Sequence, residues 1–404
     1  MLHRFGRKEH PDEDFMRRLV PLLVKLVNPM NKLFVSQLAS LALSGCFIFD
    51  PGGGPDGGGG TSGDAGGVPG SGGGGQDATT SGGDGGTGST TTGWQGADGP
   101  VPGASISAIN FVDDLHGYLL ISDQLTEGTE NVYYTDDGGN TWQPRIIGND
   151  LPYTVSFANG GQSVWIGGNG DQPLWYSSDS GMDFAPFPFS PLDWPGGSFF
   201  WDTQTGIVSS ETGDRVYTTS NAGATWTTSE LDSVPGTSVL TAVGDSVYIV
   251  GGEADTQSGA AVAYSPDKGN TWTQMNLTDN ANLYQGGQLL AVAVVSPTEM
   301  WVAGASQQIY HTTDSMKTWT QVKHVPTSIE TFGGIAVDNN GQHIMALGWG
   351  DQLCIYESTD GGATFAITFQ DECGDDCGPL GLTVVNPNLA FIYGYAGVYY
   401  RFTQ

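Results

Sequence analysis

Residues 135–142 read TDDGGNTW, and the same eight-residue pattern occurs five more times along the chain. The other copies are SSDSGMDF at 177–184, TSNAGATW at 219–226, SPDKGNTW at 265–272, TTDSMKTW at 312–319 and STDGGATF at 358–365. Their closing aromatic residues are 42, 42, 46, 47 and 46 residues apart. A nearly constant period of this length predicts a repeat architecture in which each period is one supersecondary unit.

Each residue type in these segments, called turns 1 to 6 below, suits a tight turn. Aspartate accepts backbone N–H bonds, glycine supplies a positive φ, and the Ser or Thr hydroxyl closes the turn. The last residue begins the next strand and packs between neighbouring sheets. The acceptor and the closing aromatic are Asp137 and Trp142, Asp179 and Phe184, Asn221 and Trp226, Asp267 and Trp272, Asp314 and Trp319, and Asp360 and Phe365.

Three turns depart from the pattern. Asn221 replaces the aspartate of turn 3, and its side-chain oxygen can still accept the turn bonds. Asp183 replaces the threonine of turn 2. Met316 replaces the glycine of turn 5, and because a residue with a Cβ enters positive φ at a cost, we expect turn 5 to be distorted.

The six segments resemble the Asp-box, or BNR repeat, of sialidases, sortilin-type receptors, xyloglucanases and photosystem II assembly-factor propellers. Short β-rich runs precede each turn, such as residues 164–168 and 300–304. Each period therefore reads as four short strands, one blade of a propeller. We predict an all-β fold consisting of a single β-propeller.

The two ends of the repeat region set the number of blades. Residues 382–385, 389–393 and 397–402 supply three strands after turn 6 and no fourth. Trp94 precedes Trp142 by 48 residues, in a segment that echoes the residues around Trp142. We expect the segment around Trp94 to supply the outer strand of the last blade, which closes the ring and leaves no open sheet edge there. Seven four-stranded blades follow, with six or eight as the alternatives.

The amino-terminal region has the features of an export signal. An apolar run at 33–43 has the length of a signal-peptide core and ends in the sequence LSGC at 43–46. This resembles the lipobox of bacterial lipoproteins, which implies cleavage before Cys46 and lipidation of that cysteine. The alternative is an ordinary secretory peptide followed by a chance cysteine. Residues 1–29 make an overlong leader with mixed charges, so we expect translation to begin at Met30.

The glycine content separates a linker from the region that folds. Of the 50 residues from 51 to 100, 23 are glycine, and this stretch cannot form a core. We expect a signal region at 1–45, a flexible glycine-rich linker at 46–92 and the propeller at 93–404. A lipidated Cys46 would place the protein in the bacterial cell envelope, at the outer membrane or the cell surface, with the membrane contacted through the lipid alone.

The propeller region is strongly acidic. Residues 101–404 carry 33 acidic and six basic side chains. Neutralising phosphates requires Lys and Arg, so nucleic acid is excluded as a default partner, and docking on an anionic lipid surface is disfavoured. The charge favours a cationic partner, divalent ions or simple solubility.

An enzyme of the sialidase type would need three converging arginines, a Tyr/Glu pair and an Asp acid/base. The propeller has only Arg145, Arg215 and Arg401, and their spacing does not match that family. No metalloprotease, nucleophile-elbow or phosphate-loop motif occurs. Four histidines lack metal-like spacing and are read as surface or strand residues: His116, His311, His324 and His343. A catalytic residue or metal ligand is therefore not assigned.

A ligand face follows from the resemblance, because sialidases bind ligand on the face opposite the Asp-box turns. The side chains expected in the loops of that face are Tyr153, Asp171, Phe189, Trp194, Glu211, Glu253, Asp255, Tyr284, Phe332, Trp349 and Asp351. Aromatic groups with interspersed carboxylates suit recognition of a glycan or a peptide. The alternative is that several of these aromatics only pack loops onto the sheets.

An acidic, cysteine-containing segment lies at 371–377. In an exported protein we expect one disulfide, either Cys373 with Cys377 or one of these with Cys354. The carboxylates Asp371, Glu372, Asp375 and Asp376 could bind Ca²⁺, but their spacing is not that of an EF-hand, and a solvated acidic loop is the favoured interpretation.

Together these features predict an exported, lipid-anchored propeller that acts as a monomeric, non-catalytic binding or assembly module for an envelope protein or a glycan. The alternative is a glycoside hydrolase, a sialidase or another glycosidase. The photosystem II assembly-factor propellers often place Arg just before the turn Ser or Thr. The matching positions in this chain are Tyr134, Tyr176, Thr218, Tyr264, His311 and Glu357, so the partner of that family is not carried over.

Overall fold

The computed structural model describes the chain from residue 93 to residue 403, apart from short segments. The segments left out are 98, 123–130, 146, 148–150, 192, 211–213, 233, 235–238, 253–259, 278–286, 323–324, 327, 351, 373–377 and 396. The signal region, Met30, Cys46 and the glycine-rich linker thus lie outside the described residues. Within the described part, no helix has the length and hydropathy that a membrane crossing requires.

The described residues form seven antiparallel sheets of four strands each. In six sheets the strands follow chain order from the inner to the outer edge, and in the seventh the amino-terminal strand forms the outer edge. Blade 1 consists of β2 (Ile106–Phe111), β3 (Gly117–Ile121), β4 (Val132–Thr135) and β5 (Gln143–Arg145). Blade 2 consists of β6 (Leu151–Ala158), β7 (Ser163–Asn169), β8 (Leu174–Ser177) and β9 (Ala185–Pro186), with one 3-10 turn at Asn159–Gly161. Blade 3 consists of β10 (Pro195–Phe200), β11 (Gly206–Ser210), β12 (Arg215–Thr219) and β13 (Thr227–Glu230).

The second half of the ring repeats this order. Blade 4 consists of β14 (Val239–Val243), β15 (Ser246–Gly252), β16 (Ala260–Ser265) and β17 (Thr273–Asn276). Blade 5 consists of β18 (Leu289–Ser296), β19 (Glu299–Gly304), β20 (Gln308–Thr312) and β21 (Thr320–Gln321). Blade 6 consists of β22 (Ile329–Val337), β23 (Ile344–Gly350), β24 (Leu353–Ser358) and β25 (Ala366–Asp371). Blade 7 consists of β26 (Pro379–Asn386), β27 (Leu389–Gly394), β28 (Tyr399–Thr403) and β1 (Trp94–Gly96).

The ring closes through both its inner and its outer strands. Each inner strand contacts the inner strands of the two neighbouring blades, and β26 of blade 7 contacts β2 of blade 1. The amino-terminal strand β1 pairs with β28, with Trp94 opposite Phe402 and Gly96 opposite Tyr400. The predicted all-β propeller of seven four-stranded blades, completed by the segment around Trp94, is therefore confirmed.

Apolar side chains between neighbouring sheets form the core. All six residues of β2 are buried, as expected for a strand covered on both sides. Aromatic rings bridge adjacent blades: Phe111 of blade 1 stacks on Phe391 of blade 7 at a centroid distance of 5.3 Å. Trp165 of blade 2 stacks on Phe200 of blade 3 at 4.1 Å. Such contacts help to hold neighbouring blades together.

Turn 1 shows how the recurring residues act. The Thr135 hydroxyl donates to Oδ1 of Asp137 at 2.8 Å, and it accepts a hydrogen bond from the backbone N of Gly139 at 2.9 Å. Oδ1 of Asp137 also accepts from the backbone N of Thr141 at 2.9 Å. In turn 3, Asn221 makes the matching bond with the backbone N of Thr225, also at 2.9 Å. The amide thus substitutes for the carboxylate, as expected.

Turn 5 keeps the hydrogen bonds of the other turns, and its bonds to the Thr312 hydroxyl are only slightly longer, so the distortion expected at Met316 is small. Met316 adopts φ +66°, and its backbone N donates to the Thr312 hydroxyl at 3.2 Å. The bond from the backbone N of Thr318 to Asp314 is 2.9 Å, as in turn 1. The Met316 side chain is buried in the apolar cluster that blades 4, 5 and 6 share. Burial of a methionine side chain contributes about 1.5–3 kcal/mol, which offsets the strain of positive φ.

The closing indoles of turns 4 and 5 differ in their hydrogen bonding. In turn 4 the indole N–H of Trp272 donates to the carbonyl of Gly269 at 3.0 Å. Gly269 occupies the position of Met316, and the corresponding indole N–H of Trp319 is buried with no hydrogen-bond partner among the described residues. A buried donor without a partner lowers stability.

Candidate functional site

The propeller has two different faces. The first and third strands of each blade run in the same direction, so the loop after the first strand and the turn after the third strand lie on one side, which we call the turn face. Backbone hydrogen bonds join these two elements, for example from Ser180 to Gln162 at 3.0 Å and from Lys268 to Asp245 at 2.8 Å. The remaining connections lie on the opposite side, which we call the loop face.

The ligand residues expected from the sequence have different surroundings. Trp194 is 43% exposed and Asp171 is also exposed, whereas Trp349 is half-buried in β23. Tyr153 and Phe332 are buried in the core. Phe189 packs edge-on against Tyr217 and Trp226. Glu211, Glu253, Asp255, Tyr284 and Asp351 lie outside the described residues.

The surroundings of Trp194 are fixed by Asp193. Oδ1 of Asp193 accepts a hydrogen bond from the backbone N of Trp194 at 2.9 Å, and Oδ2 accepts one from the Tyr217 hydroxyl, also at 2.9 Å. Burial, together with this carboxylate, raises the pKa of Tyr217 to about 12. The phenol therefore remains a hydrogen-bond donor at neutral pH and holds the backbone beside Trp194.

The three arginines of the propeller have separate structural partners. Arg145, on outer strand β5, lies over the Tyr134 ring at 4.8 Å. Nε of Arg215, on β12 of blade 3, lies 3.2 Å from a carboxylate oxygen of Glu230. Arg401, on β28 of blade 7, binds turn 1. The structure does not bring these residues together over the channel, in keeping with the mismatch seen in the sequence.

The described histidines contact carboxylates. Nδ1 of His116 lies 2.8 Å from Asp113, and His343 contacts Glu357. Nε2 of His311 lies 3.1 Å from Glu299, and burial lowers the pKa of this imidazole despite the nearby carboxylate. His324 is outside the described residues. Among the residues that the structure describes, no three His, Cys, Asp or Glu side chains are placed to share a metal ion.

A groove of about 550 Å³ lies beside His311, between blades 5 and 6. The ring of His311 stacks on Trp301 at a centroid distance of 3.9 Å, and the stacked pair Tyr356 and Phe365 forms the other wall. Trp301 is only 1% exposed, so its aromatic face is not open to a sugar. The outer strand of blade 5 has two residues, and this short strand leaves the groove open.

A second cavity, of about 250 Å³, opens at the mouth of the central channel on the turn face. The carboxyl-terminal ends of the inner strands of blades 1 to 4 form its wall. Phe111, Phe157 and Phe199 supply apolar surface, and Ser156, Ser198 and Thr241 supply hydroxyl groups. None of the described residues that line it is ionisable. We call this space the channel-mouth cavity.

The sequence reasoning missed the channel-mouth cavity. Its lining residues come from four inner strands and from the loops that follow two of them, between residues 106 and 243, and no local motif marks them. One weak signal is present, since small hydroxyl residues such as Ser156 and Ser198 interrupt the otherwise apolar inner strands. A residue that faces a channel need not be apolar.

The cysteine and calcium hypotheses lie mostly beyond the described residues. Cys354 is buried in β24, and burial raises the pKa of its thiol to about 11. Cys373, Cys377, Asp375 and Asp376 are not described. Asp371 accepts a hydrogen bond from the Tyr400 hydroxyl at 2.9 Å, and Glu372 is exposed. The disulfide and the calcium site therefore stay predictions.

Comparison with known proteins reveals a similar curated relative. Over 194 residues the chain is 29% identical to "Photosystem II assembly lipoprotein Ycf48" of Synechococcus sp. (strain CC9902), a match that includes 41% of this chain and 54% of the relative. The chain thus spans about half the length of the curated relative it matches. The sequence matches no protein-family model.

Solved structures share the fold. One, described as "YCF48 bound to D1 peptide", aligns with a TM-score of 0.59 and 20% identity over 78% of this chain and 96% of its own. Another is an ancestral GH74 enzyme, with a TM-score of 0.54 and 16% identity over 77% of this chain and 46% of its own. At such identities the likeness concerns the fold alone.

Proposed function

We propose that this protein is an exported, lipid-anchored propeller that binds and helps to assemble a protein partner at the bacterial cell envelope, without catalysis of its own. The observation that carries the proposal is the channel-mouth cavity, which combines apolar and hydroxyl surface with no ionisable group among its described lining residues. Acid–base, nucleophilic and metal-assisted hydrolysis all require ionisable or metal-binding groups at the reacting atoms. A lining of this kind suits recognition.

The comparisons support a protein partner over a glycan. The curated relative is named as an assembly lipoprotein, and one solved structure of the same fold is described with a bound peptide. We carry over only the class of activity, since the positions before the turns hold no arginine in this chain. The strongly acidic surface indicates a partner of opposite charge.

The proposed lipid anchor would hold the propeller close to its partners in the envelope. A lipidated Cys46 and the linker at 46–92 would tether the propeller to the membrane. The root-mean-square end-to-end distance of the linker is roughly 35–40 Å, from about 5–6 Å × √n for a flexible chain of n residues. A tether of this length would keep the propeller near the membrane and allow it to take any orientation relative to the membrane. A tethered binding module then meets envelope partners at a high effective concentration.

The test is partner capture in the cells from which the gene derives. The full-length protein with a carboxyl-terminal tag is cross-linked in growing cells, and the captured proteins are identified by mass spectrometry. We expect one envelope protein to be enriched with the native chain and lost when Cys46→Ala prevents anchoring. Capture of no protein above the level of an unrelated tagged lipoprotein contradicts the proposal.

A parallel assay addresses the glycosidase alternative. The purified protein is incubated with fluorogenic glycosides, including a sialoside, beside the Arg215→Ala and Arg401→Ala variants. We expect no turnover with any of the three proteins. Turnover by the native chain that either variant abolishes would replace the proposal with an enzyme.

A further inference from the structure

The channel-mouth cavity has a neutral interior and an acidic rim. The loops that surround it follow β2, β10 and β14, and they carry Asp113, Asp114, Asp202 and Asp245. The basic groups on these loops and the adjacent turns are Lys268, which lies 3.4 Å from Asp245, and His116, which contacts Asp113. Carboxylates therefore outnumber cations around the opening.

The cavity wall also contains the hydroxyl of Thr241. Thr241 is 7% exposed, and its hydroxyl makes no hydrogen bond with any residue that the structure describes. Ser198, on the same wall, is different because its hydroxyl lies 3.1 Å from that of Ser156 and 3.2 Å from that of Thr154. The Thr241 hydroxyl on the cavity wall is therefore available to a polar atom of an occupant.

The size of the cavity limits the part of the occupant that enters it. An apolar cavity of about 150 Å³ is large enough to bind benzene. The channel-mouth cavity, at about 250 Å³, has room for one aromatic or branched aliphatic side chain and an adjacent backbone group. The polar atom of that backbone group would lie within reach of a hydroxyl on the wall.

The aromatic walls favour an inserted side chain over a stacked sugar ring. Phe111 is 2% exposed and already stacks on Phe391. Phe157 contacts the Tyr118 ring at 5.5 Å, and Phe199 contacts the Trp201 ring at 5.1 Å. Recognition of a sugar face needs an open aromatic face, and these three rings have their faces or edges against other rings.

We propose that the channel-mouth cavity binds a basic peptide segment of the partner protein. One apolar side chain of that segment enters the cavity, a backbone group of the segment meets the Thr241 hydroxyl, and flanking Lys or Arg side chains pair with the rim carboxylates. This proposal rests on the proposed function and deepens it by naming the chemistry of the partner and the place where it binds. Charge complementarity and an apolar anchor are the usual determinants of such binding.

The test uses full-length protein purified in detergent and three capped hexapeptides. The probe is Lys-Lys-Phe-Leu-Lys-Lys, and its controls are Glu-Glu-Phe-Leu-Glu-Glu and Lys-Lys-Ser-Gly-Lys-Lys. Binding is measured by calorimetry at low and at physiological salt. We expect the probe to bind at least about tenfold more tightly than either control and to weaken as salt screens the charges.

Two kinds of variant separate the anchor from the charges. Ala242→Phe fills the cavity and is expected to weaken probe binding by about tenfold or more. The pair Asp114→Asn with Asp245→Asn removes two rim charges and is expected to weaken it by about fivefold. The matched control, Asp136→Asn with Asp183→Asn, removes two exposed carboxylates of turns 1 and 2 and should change the affinity by less than about twofold.

Several outcomes would overturn the proposal. They are equal binding of the probe to the native protein and Ala242→Phe, equal binding of the probe and the glutamate peptide, and no binding of the probe at about 1 mM. Circular dichroism and the unfolding midpoint show whether Ala242→Phe is folded, and Thr241→Val supplies a milder change at the same wall. If cross-linking in cells still captures the partner with Ala242→Phe, the proposed function survives and this site does not.

Discussion

Arg401 of blade 7 holds turn 1 of blade 1 through Asn140. Its Nη1 donates to the side-chain oxygen of Asn140 at 2.8 Å, and its Nη2 donates to the backbone carbonyl of Gly138 at 3.0 Å. The two ends of the ring are thus joined by a planar, two-pronged contact as well as by strand pairing. Arg401, one of the three arginines considered for a sialidase-type site, therefore binds turn 1 in this protein.

Replacing Arg401 is therefore expected to lower stability without altering ligand binding. Arg401→Ala removes two hydrogen bonds, and we expect the free energy of unfolding to fall by about 1–2 kcal/mol. Arg401→Lys should recover little of this loss because an ammonium group cannot form both bonds in the same geometry. Urea unfolding measures the change, with Arg145→Ala, on outer strand β5 of blade 1, as the control. An unchanged unfolding midpoint for Arg401→Ala contradicts this role.

Trp94 fixes the strand that closes blade 7. Its ring lies 5.4 Å from that of Phe402 and 5.7 Å from that of Phe369. Trp94→Ala is expected to lower the free energy of unfolding by about 2 kcal/mol through lost apolar burial. Release of the three-residue strand β1 would also expose the edge of β28, so the variant should form dimers or larger species in light scattering.

The control for this prediction is Trp94→Phe, which keeps an aromatic ring between the same two neighbours. It should remain monomeric and lose less stability than the alanine variant. Native stability and an unchanged size for Trp94→Ala would show that β1 is dispensable.

Met316 provides a test of backbone strain against burial. Because Met316 sits at φ +66°, alanine at this position keeps the strain and loses the packing, whereas glycine loses the packing but relieves the strain. We expect Met316→Gly to be more stable than Met316→Ala by about 0.4–1 kcal/mol, the reverse of the usual order outside positive φ. Thermal unfolding of the two variants measures the difference, and greater stability of the alanine variant contradicts it.

The turn aspartates are expected to lose their contribution to the free energy of unfolding as the pH falls. Hydrogen bonds from the Thr364 hydroxyl and backbone, followed by one from the Ser358 hydroxyl, lower the pKa of Asp360 from 3.8 to about 2. A carboxyl whose folded pKa is depressed stabilises the fold above its unfolded pKa, and this contribution is lost as the pH falls through the folded pKa. Asp360→Asn should therefore lower stability less at pH 2 than at pH 7.

Urea midpoints of the native protein and Asp360→Asn at the two pH values check this sign. The variant keeps an oxygen that can accept the turn bonds, as Asn221 does in turn 3. Asp136→Asn, in an exposed position of turn 1, is the control for the general effect of removing a negative charge. A gap between native and variant that widens on acidification would contradict the sign.

Two hydroxyl deletions in the channel-mouth cavity should have different consequences for stability. Ser198→Ala breaks the contacts with Ser156 and Thr154 and is expected to cost about 1–2 kcal/mol. Thr241→Val removes a hydroxyl that lines the cavity and makes no hydrogen bond with the described residues, so its free energy of unfolding should change by less than about 0.5 kcal/mol. A similar loss in both variants would show that Thr241 is satisfied in the folded protein.

The period and chemistry of the turns predicted most of the fold. The residues that form a turn are neighbours in the chain, so TDDGGNTW and its copies carry their geometry locally, and their spacing gives the number of strands per repeat. Turn 5 was the exception. Burial of Met316 between blades outweighs a local preference of the backbone, and this burial depends on residues distant in the sequence.

The candidate site depended on tertiary structure. Repeats can be counted in a sequence, but the apposition of Phe111, Ser198 and Thr241 arises only when the inner strands of several blades converge on one channel. Likewise, Arg401 meets Asn140 only because the ring closes. The sequence by itself determined the blade, since local turns and alternating strands are encoded residue by residue. The tertiary structure alone decided what surrounds the channel, because that surface is made of short runs of residues from separate blades.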